Sequence, residues 1–288
     1  MGSRSVFSRP LPITRRQFLG TIAGAAAATG LYAWRIEPEW LEITHRDLPL
    51  AHLPPALAGK TLVQLSDIHI GPQVSDDYIR RTFAAVTALE PDFVVHTGDL
   101  ITYRDEHVLE QARPLVAGFP HGKLGTVAIL GNHDYGKFWA NPKVADAVTG
   151  LLATNGVRVL RNEMAVIGGL QFLGCDDLWA LRFAPQLPLR ALAPGVPALV
   201  LCHNPDACDH KVWGGYQGWI LAGHTHGGQC KPPFLPPPLL PVLNRRYTSG
   251  EFALTEGRRL YISRGVGHLL HVRFNARPEV TVFRLVAA

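Results

Sequence analysis

Four things are scarce in this 288-residue chain, and each scarcity closes off a class of function. Its four cysteines, Cys175, Cys202, Cys208 and Cys230, match neither a zinc knuckle nor a disulfide scaffold. A chain this long needs no staples to bury a core, so they read as buried or free thiols. Charged residues make up only 18%, with no Lys/Arg stripe interleaved with aromatics to track a phosphate backbone, which argues against nucleic acid as a partner. No Gly-x-x-x-x-Gly-Lys loop is present, so the glycines near the histidines do not cradle a nucleotide. No Ser or Cys sits in a recognisable nucleophile motif, and a covalent enzyme intermediate is not required. Repeats and linkers between folded units are also missing. The remaining composition, 47% apolar, is ordinary for one large folded domain.

The basic excess is local. Arg4, Arg9, Arg15 and Arg16 occur in the first sixteen residues with no acid, and subtracting them from the formal +5 leaves +1. Thr14-Arg15-Arg16-Gln17-Phe18-Leu19 leads into an uncharged, Ala- and Gly-rich run to Trp34. This resembles a twin-arginine export signal. Residues 1–34 are therefore read as a signal or N-terminal anchor, with Ala26-Ala27-Ala28 offering small residues for cleavage. The run is short and Gly-rich for a membrane-crossing helix. The expected partner is the twin-arginine export machinery, and the expected location is extracytoplasmic, in the periplasm or cell envelope, with membrane-surface association the anchored alternative.

Residues 35–288 read as a single domain. Apolar runs at Lys60 to Leu65, Phe93 to Thr97 and Val127 to Leu130 alternate with helical patterns from Ser75 to Leu89, Asp105 to Val116 and Pro142 to Ala153. After Gly156 the chain turns to shorter strands: Val157–Leu160, Ala165–Ile167, Leu170–Leu173, Ala198–Leu201, Trp219–Ala222, Leu260–Ser263, Leu270–Phe274 and Val280–Leu285. A β-α-β-α-β half followed by a meander predicts an α/β fold of two sheets packed face to face, helices outside.

Polar blocks stand at the ends of five of these runs: Ser66-Asp67-Ile68-His69, Thr97-Gly98-Asp99, Gly131-Asn132-His133-Asp134, Cys202-His203-Asn204 and Gly223-His224-Thr225-His226. Asp67 and His69 are two apart, which in a regular strand puts both on one face. His224 and His226 repeat that spacing, and Asp99 offers a carboxylate able to bridge two ions. Mixed imidazole and carboxylate donors suit zinc, manganese or iron better than calcium. One such residue after a strand is an ordinary cap. Seven donors in five strand-end blocks point to two divalent cations and a metal-dependent hydrolase.

These blocks, in this order, resemble the signature of the calcineurin-like metallophosphoesterase superfamily: Asp-x-His, Gly-Asp, Gly-Asn-His-Asp, a separate His and Gly-His-x-His. The Ser-Asp-Ile-His-Ile-Gly and His-Thr-His-Gly-Gly-Gln wording is similar to its YkuE/YaeI-type branch. The resemblance implies a four-layer α-β-β-α sandwich of two mixed sheets flanked by helices. It implies Asp67, His69 and His226 as ligands of one metal, Asn132, His203 and His224 of the other, and Asp99 between them. It further implies His133 at the phosphoryl oxygen or leaving group, oriented by Asp134. The reaction implied is hydrolysis of a phosphodiester, phosphomonoester or pyrophosphate by metal-activated hydroxide attack on phosphorus, on a small-molecule or lipid-linked substrate. A catalytically silent metal-binding scaffold of the same fold and an extracytoplasmic nuclease are the competing readings.

Other residues carry weaker expectations. His96 should support the site from behind, and His268 and Arg264 are candidates to flank or contact substrate. The Pro/Leu-rich excursion at residues 231–246 is either an apolar lip through Phe234, Leu235, Leu239 and Leu240 or a loop packed on its own domain.

Overall fold

The computed structural model describes residues 13–288, so Arg4 and Arg9 of the leader lie outside the described residues. From Thr14 the chain forms helix α1, Arg15–Arg35, opened by a capping box in which Thr14 accepts from the Gln17 amide. The described part of the stretch read as a signal or N-terminal anchor is thus helical. Gly20, Gly24 and Gly30 tax the helix by about 1 kcal/mol each against alanine but do not break it, and only Ala33 is buried. Among the described residues, no helix is long and apolar enough to cross a membrane.

The body is built on strands β1 (Glu42–Leu50), β2 (Thr61–Leu65), β3 (Phe93–Thr97), β4 (Gly125–Ile129), β5 (Arg158–Val159), β6 (Glu163–Ile167), β7 (Leu170–Gly174), β8 (Ala198–Leu201), β9 (Trp219–Ala222), β10 (Gly250–Ala253), β11 (Arg259–Ile262) and β12 (Glu279–Ala287). They form two six-stranded sheets, in the orders β1-β12-β2-β3-β4-β5 and β10-β11-β9-β8-β7-β6. Both sheets are mixed. In the first, β2, β3, β4 and β5 run parallel, β12 is antiparallel to β2, and β1 is parallel to β12. In the second, β7, β8, β9 and β11 run parallel, with β6 and β10 antiparallel at the edges.

Alternation sorts the side chains into layers. Leu62, Phe93, Val95, Val127 and Ile129 face Leu170, Phe172, Leu199 and Leu221 between the sheets. Val63, Leu65, Val94 and Ala128 face outward under the helices α2 (Asp76–Ala88), α3 (Glu106–Val116) and α4 (Pro142–Thr154). Ser75 caps α2 through the Tyr78 amide, as its position before the apolar stripe predicts. The outer face of the second sheet is covered by the short α5 (Gln186–Arg190) and by irregular segments carrying Cys208, Trp213 and Tyr216. The architecture is the expected sandwich of two mixed sheets flanked by helices.

Three expectations change. β5 does not begin a meander; it closes the first sheet beside β4, and the chain crosses to the second sheet at Arg161-Asn162. Leu270–Phe274 is not a strand and contributes only the isolated bridge of Phe274 to Cys230. β10 has no apolar alternation strong enough to announce it, yet it pairs in register with β11. The parallel arrangement matters most for function: the carboxyl ends of β2, β3 and β4 and those of β8 and β9 open on one edge, where open sheets receive ligands.

Candidate dimetal centre

Each strand end delivers its donors through a backbone that has left the sheet. Asp67, His69, Asp99, His224 and His226 all have φ between 51° and 71°, left-handed values that cost a non-glycine residue about 1–3 kcal/mol each. The sequence expectation that Asp67 and His69 share one face of a regular strand is thus corrected in its cause. They converge because both lie past the end of β2 in left-handed turns. Two glycines make room. A Cβ on Gly131 would overlap the Asp99 carboxylate, and one on Gly223 would overlap Ser66 and Asp67.

The donors gather in two buried triads, Asp67 with His69 and His226, and Asp99 with His203 and His224. His69 Nε2 and His226 Nε2 lie 3.0 Å apart, and His226 Nε2 is 3.4 Å from Asp67 Oδ1. In the other triad His203 Nε2 is 3.1 Å from Asp99 Oδ2 and 3.2 Å from His224 Nδ1. The same Asp99 Oδ2 is 3.7 Å from His69 Nε2, so this one oxygen faces both triads, as a bridge must. Asn132, at the start of a single helical turn after β4, is fully buried and neither of its amide atoms has a hydrogen-bond partner. An orphaned buried amide is costly unless it serves a ligand. Four imidazoles, two carboxylates and that amide fit a pair of divalent cations.

The remaining polar atoms are already committed, which fixes which nitrogen of each ring faces inward. His69 Nδ1 is hydrogen-bonded to Thr102 Oγ1 at 2.8 Å. His203 Nδ1 donates to the Thr97 carbonyl at 2.7 Å. His224 Nε2 donates to the Pro241 carbonyl at 2.8 Å. Asp67 accepts from the Ser66 hydroxyl and, through both oxygens, from the His224 amide. Thr102 and Pro241 were invisible to sequence reasoning. Neither stands in a motif, and Pro241 belongs to the 231–246 excursion.

Burial dominates the electrostatics. It pushes the imidazole of His224 down to about 3 and those of His69 and His226 well below the ordinary histidine value, so all three are neutral, the ligating form. Burial also raises Asp67, to about 6. Asp99 and His203 escape that rule by facing each other. Burial opposes both charges, but the pair outweighs it, holding the carboxyl well below and the imidazole well above their usual ranges.

His133 sits beside the triads, half-buried, its ring edge-on to His69 at 5.1 Å. Its orientation comes from its own amide, which donates to Asp99 Oδ1 at 2.8 Å. The expected contact from Asp134 is replaced: that carboxylate accepts from the Gly131 amide at 2.9 Å and the Ile101 amide at 3.1 Å. Both its oxygens are spent on backbone, so Asp134 shapes the turn that carries His133 instead of touching the ring.

Other expectations divide. His96 points into the helix layer, edge-on to Phe119, behind the site as read. Arg264 is not available to phosphate, because its guanidinium is bound to Glu279 at 3.0 Å and Glu42 at 2.7 Å. His268 is fully buried, with Nε2 2.8 Å from the Gln73 carbonyl and 2.9 Å from His271, and does not face substrate. The 231–246 segment is both things the sequence allowed: Phe234, Leu235 and Leu239 are exposed, while Pro237 and Val242 are buried. The Trp139–Trp179 pair, stacked at 4.7 Å beside His133 and His224, is a site feature that no motif predicted.

Known proteins are similar to this chain over the region that carries these blocks. The family model described as calcineurin-like phosphoesterase matches residues 60–228, from the start of β2 to the last metal-side histidine turn. The chain is 30% identical to the uncharacterized metallophosphoesterase YkuE of Bacillus subtilis, over 95% of this chain and 98% of that one. It is 33% identical to the phosphodiesterase YaeI of Escherichia coli, over 95% and 100%. It is 25% identical to the UDP-2,3-diacylglucosamine pyrophosphatase LpxG of Chlamydia trachomatis, over 92% and 95%. With the two triads at the carboxyl ends of parallel strands and the matched region spanning every donor, the chain belongs to the calcineurin-like phosphoesterase family, a family of metal-dependent hydrolases.

Proposed function

We propose that this chain hydrolyses a phosphodiester or pyrophosphate of a small or lipid-linked molecule outside the cytoplasm. The observation that carries the chemistry is the single oxygen Asp99 Oδ2, placed within 4 Å of a histidine from each triad. Asp67, His69 and His226 would hold one cation, Asn132, His203 and His224 the other, with Asp99 shared; manganese, zinc or iron suits these donors. Two such cations lower the pKa of bound water and offset charge on phosphoryl oxygens. The chain's own part is positional. The left-handed turns fix the donors, Thr97, Thr102 and Pro241 fix the rings, and His133, the one partly exposed imidazole beside the triads, is set to give a proton to the departing oxygen.

Arg15-Arg16 in the first turn of an exposed helix that is uncharged from Gln17 to Trp34 favours twin-arginine export, a route that would load the metals before translocation. Exposed Phe234, Leu239 and Leu243 near the Pro241 contact favour an amphiphilic substrate or a membrane surface. The near-neutral body disfavours a nuclease.

The test is turnover of bis-p-nitrophenyl phosphate and p-nitrophenyl phosphate by protein loaded separately with manganese and zinc, with metal counted per chain. Diester hydrolysis at two metals per chain, abolished in Asp99→Asn, is expected. A folded, doubly metallated protein that cleaves neither ester nor a pyrophosphate would move the silent scaffold ahead.

A further inference from the structure

The two tryptophans closest to the triads come from opposite halves of the chain. Trp139 follows the His133 turn in the first half, and Trp179 follows β7 in the second. Their rings stack at 4.7 Å with 30° between planes. Trp139 lies 6.3 Å from the His133 ring, and Trp179 meets the His224 ring edge-on at 4.4 Å. The pair therefore spans from the proton-donor side of the site to the Asp99/His203/His224 triad. Both rings are partly open to solvent, and Trp139 packs in part against the helix-side core.

The backbone around them is left-handed at several bulky residues, among them Trp139 itself. Phe138 and Trp139 have φ of 59° and 57°, and Leu181, two residues after Trp179, has φ of 58°. Left-handed values are outliers for bulky residues. Phe138 and Leu181 are 92% and 91% exposed, so the strain does not serve to bury them. What it achieves is to bring Trp139 against Trp179 at the edge of the metal site. Strain kept beside a reaction centre, at Phe138 and Leu181 without any gain in their own burial, is the pattern of a substrate-positioning element.

We propose that Trp139 and Trp179 form the wall that receives the organic substituent carried on the reacting phosphate, and that they select substrates in which this substituent is apolar. The pair offers a large rigid apolar surface with little entropy to lose, and it adjoins the donors without supplying one. This rests on the hydrolase reading above and adds its substrate class: a phosphoester bearing an aryl or comparably apolar group, preferred over one bearing a methyl group.

The experiment uses the full chain with both metals and two diesters that share one leaving group, phenyl p-nitrophenyl phosphate and methyl p-nitrophenyl phosphate. Wild type is expected to favour the phenyl diester in kcat/KM by about tenfold or more, through KM. Trp139→Ala and Trp179→Ala should bring that ratio down at least fivefold toward one at unchanged metal content. Trp139→Phe and Trp179→Phe, which keep an aromatic face and disturb packing less, should restore most of it. Calorimetric titration with phenylphosphonate and methylphosphonate reads the same preference without turnover. An unchanged ratio in fully metallated variants, or equal affinity for the two phosphonates, overturns the wall. If wild type cleaves neither diester, the diesterase reading fails, and the phosphonate titration alone decides for or against the wall.

Discussion

Asp99 carries more of the site than any other residue. One oxygen faces both triads and the other accepts the His133 amide. Asp99→Asn keeps the shape but removes the carboxylate charge shared between the two triads, so turnover should fall by at least about a thousandfold, roughly 4 kcal/mol of barrier, with fewer than two metals bound on elemental analysis. Gly131→Ala attacks the same carboxylate from the backbone. Its methyl group must displace Asp99, at a stability cost of about 1–3 kcal/mol. We expect a folded protein by circular dichroism with most of its activity lost. His96 tests a different property. Burial pushes its imidazole from 6.5 to about 3, so above pH 6.5 it is neutral whether folded or unfolded and contributes nothing to the pH dependence. Below 6.5 the unfolded chain takes a proton that the folded one refuses, and stability drops as pH falls toward 3, by up to about 1.4 kcal/mol per pH unit. Urea unfolding of chelated protein should therefore show His96→Leu gaining about 2 kcal/mol on wild type at pH 5 relative to pH 8. A parallel shift at both pH values would contradict this. The donors were legible in the sequence because each lies in a short block at a strand end, where residue type, glycine and order all survive in one dimension. Thr102, Pro241, Trp139 and Trp179 were not, since each acts across the fold on a residue far away in sequence.

Elements were legible where burial imposes a period. β2, β3, β8 and β9 are short apolar runs buried along nearly their whole length, and α2, α3 and α4 each carry an apolar stripe over a cap residue. Leu270–Phe274 imitates a strand, yet Leu270 is exposed, and its carbonyl and that of Val272 are taken by the Gln229 side chain. Apolar alternation without a sheet edge to join predicts nothing. The 231–246 segment has no regular structure of its own kind to read, but it is anchored. Asp206 accepts from the Leu243 amide at 2.7 Å and the Asn244 amide at 3.0 Å, which holds the strap whose Pro241 carbonyl fixes His224. Asp206→Ala should release that strap. Because outer-sphere partners of a metal-bound histidine typically govern about 10–100-fold in affinity, competition with a chelator should show one metal held about that much more weakly, the other unchanged. Equal weakening of both would mean the strap supports the fold, not His224.

At the scale of the whole molecule, the two halves of the chain each supply an incomplete site, and the face-to-face sheets complete it. Neither half is dispensable, but the N-terminal helix is a different matter. Ala33 is its only buried residue, and its carbonyl accepts from the Arg273 amide at 2.9 Å. Losing that bond costs about 0.5–1.5 kcal/mol. The next residues are bound more closely. The Glu37 carboxylate is fully buried and accepts from the Ala276 amide at 2.7 Å. It thereby ties down the turn beginning at Arg273, whose guanidinium donates to the Gly267 and Ala276 carbonyls and lies 3.4 Å from His226 Nδ1. A chain starting at Arg35 should thus bind two metals and keep wild-type turnover within about twofold, its melting temperature lower by no more than about 2–4 °C for each kcal/mol lost. A chain starting at Trp40 leaves a buried amide without its acceptor, worth about 1–3 kcal/mol more, and slackens the support behind His226. It should melt lower still and lose the cation assigned to Asp67, His69 and His226 more readily on chelation. If both truncations behaved alike, the boundary of the folded body would not lie between the exposed helix and Glu37.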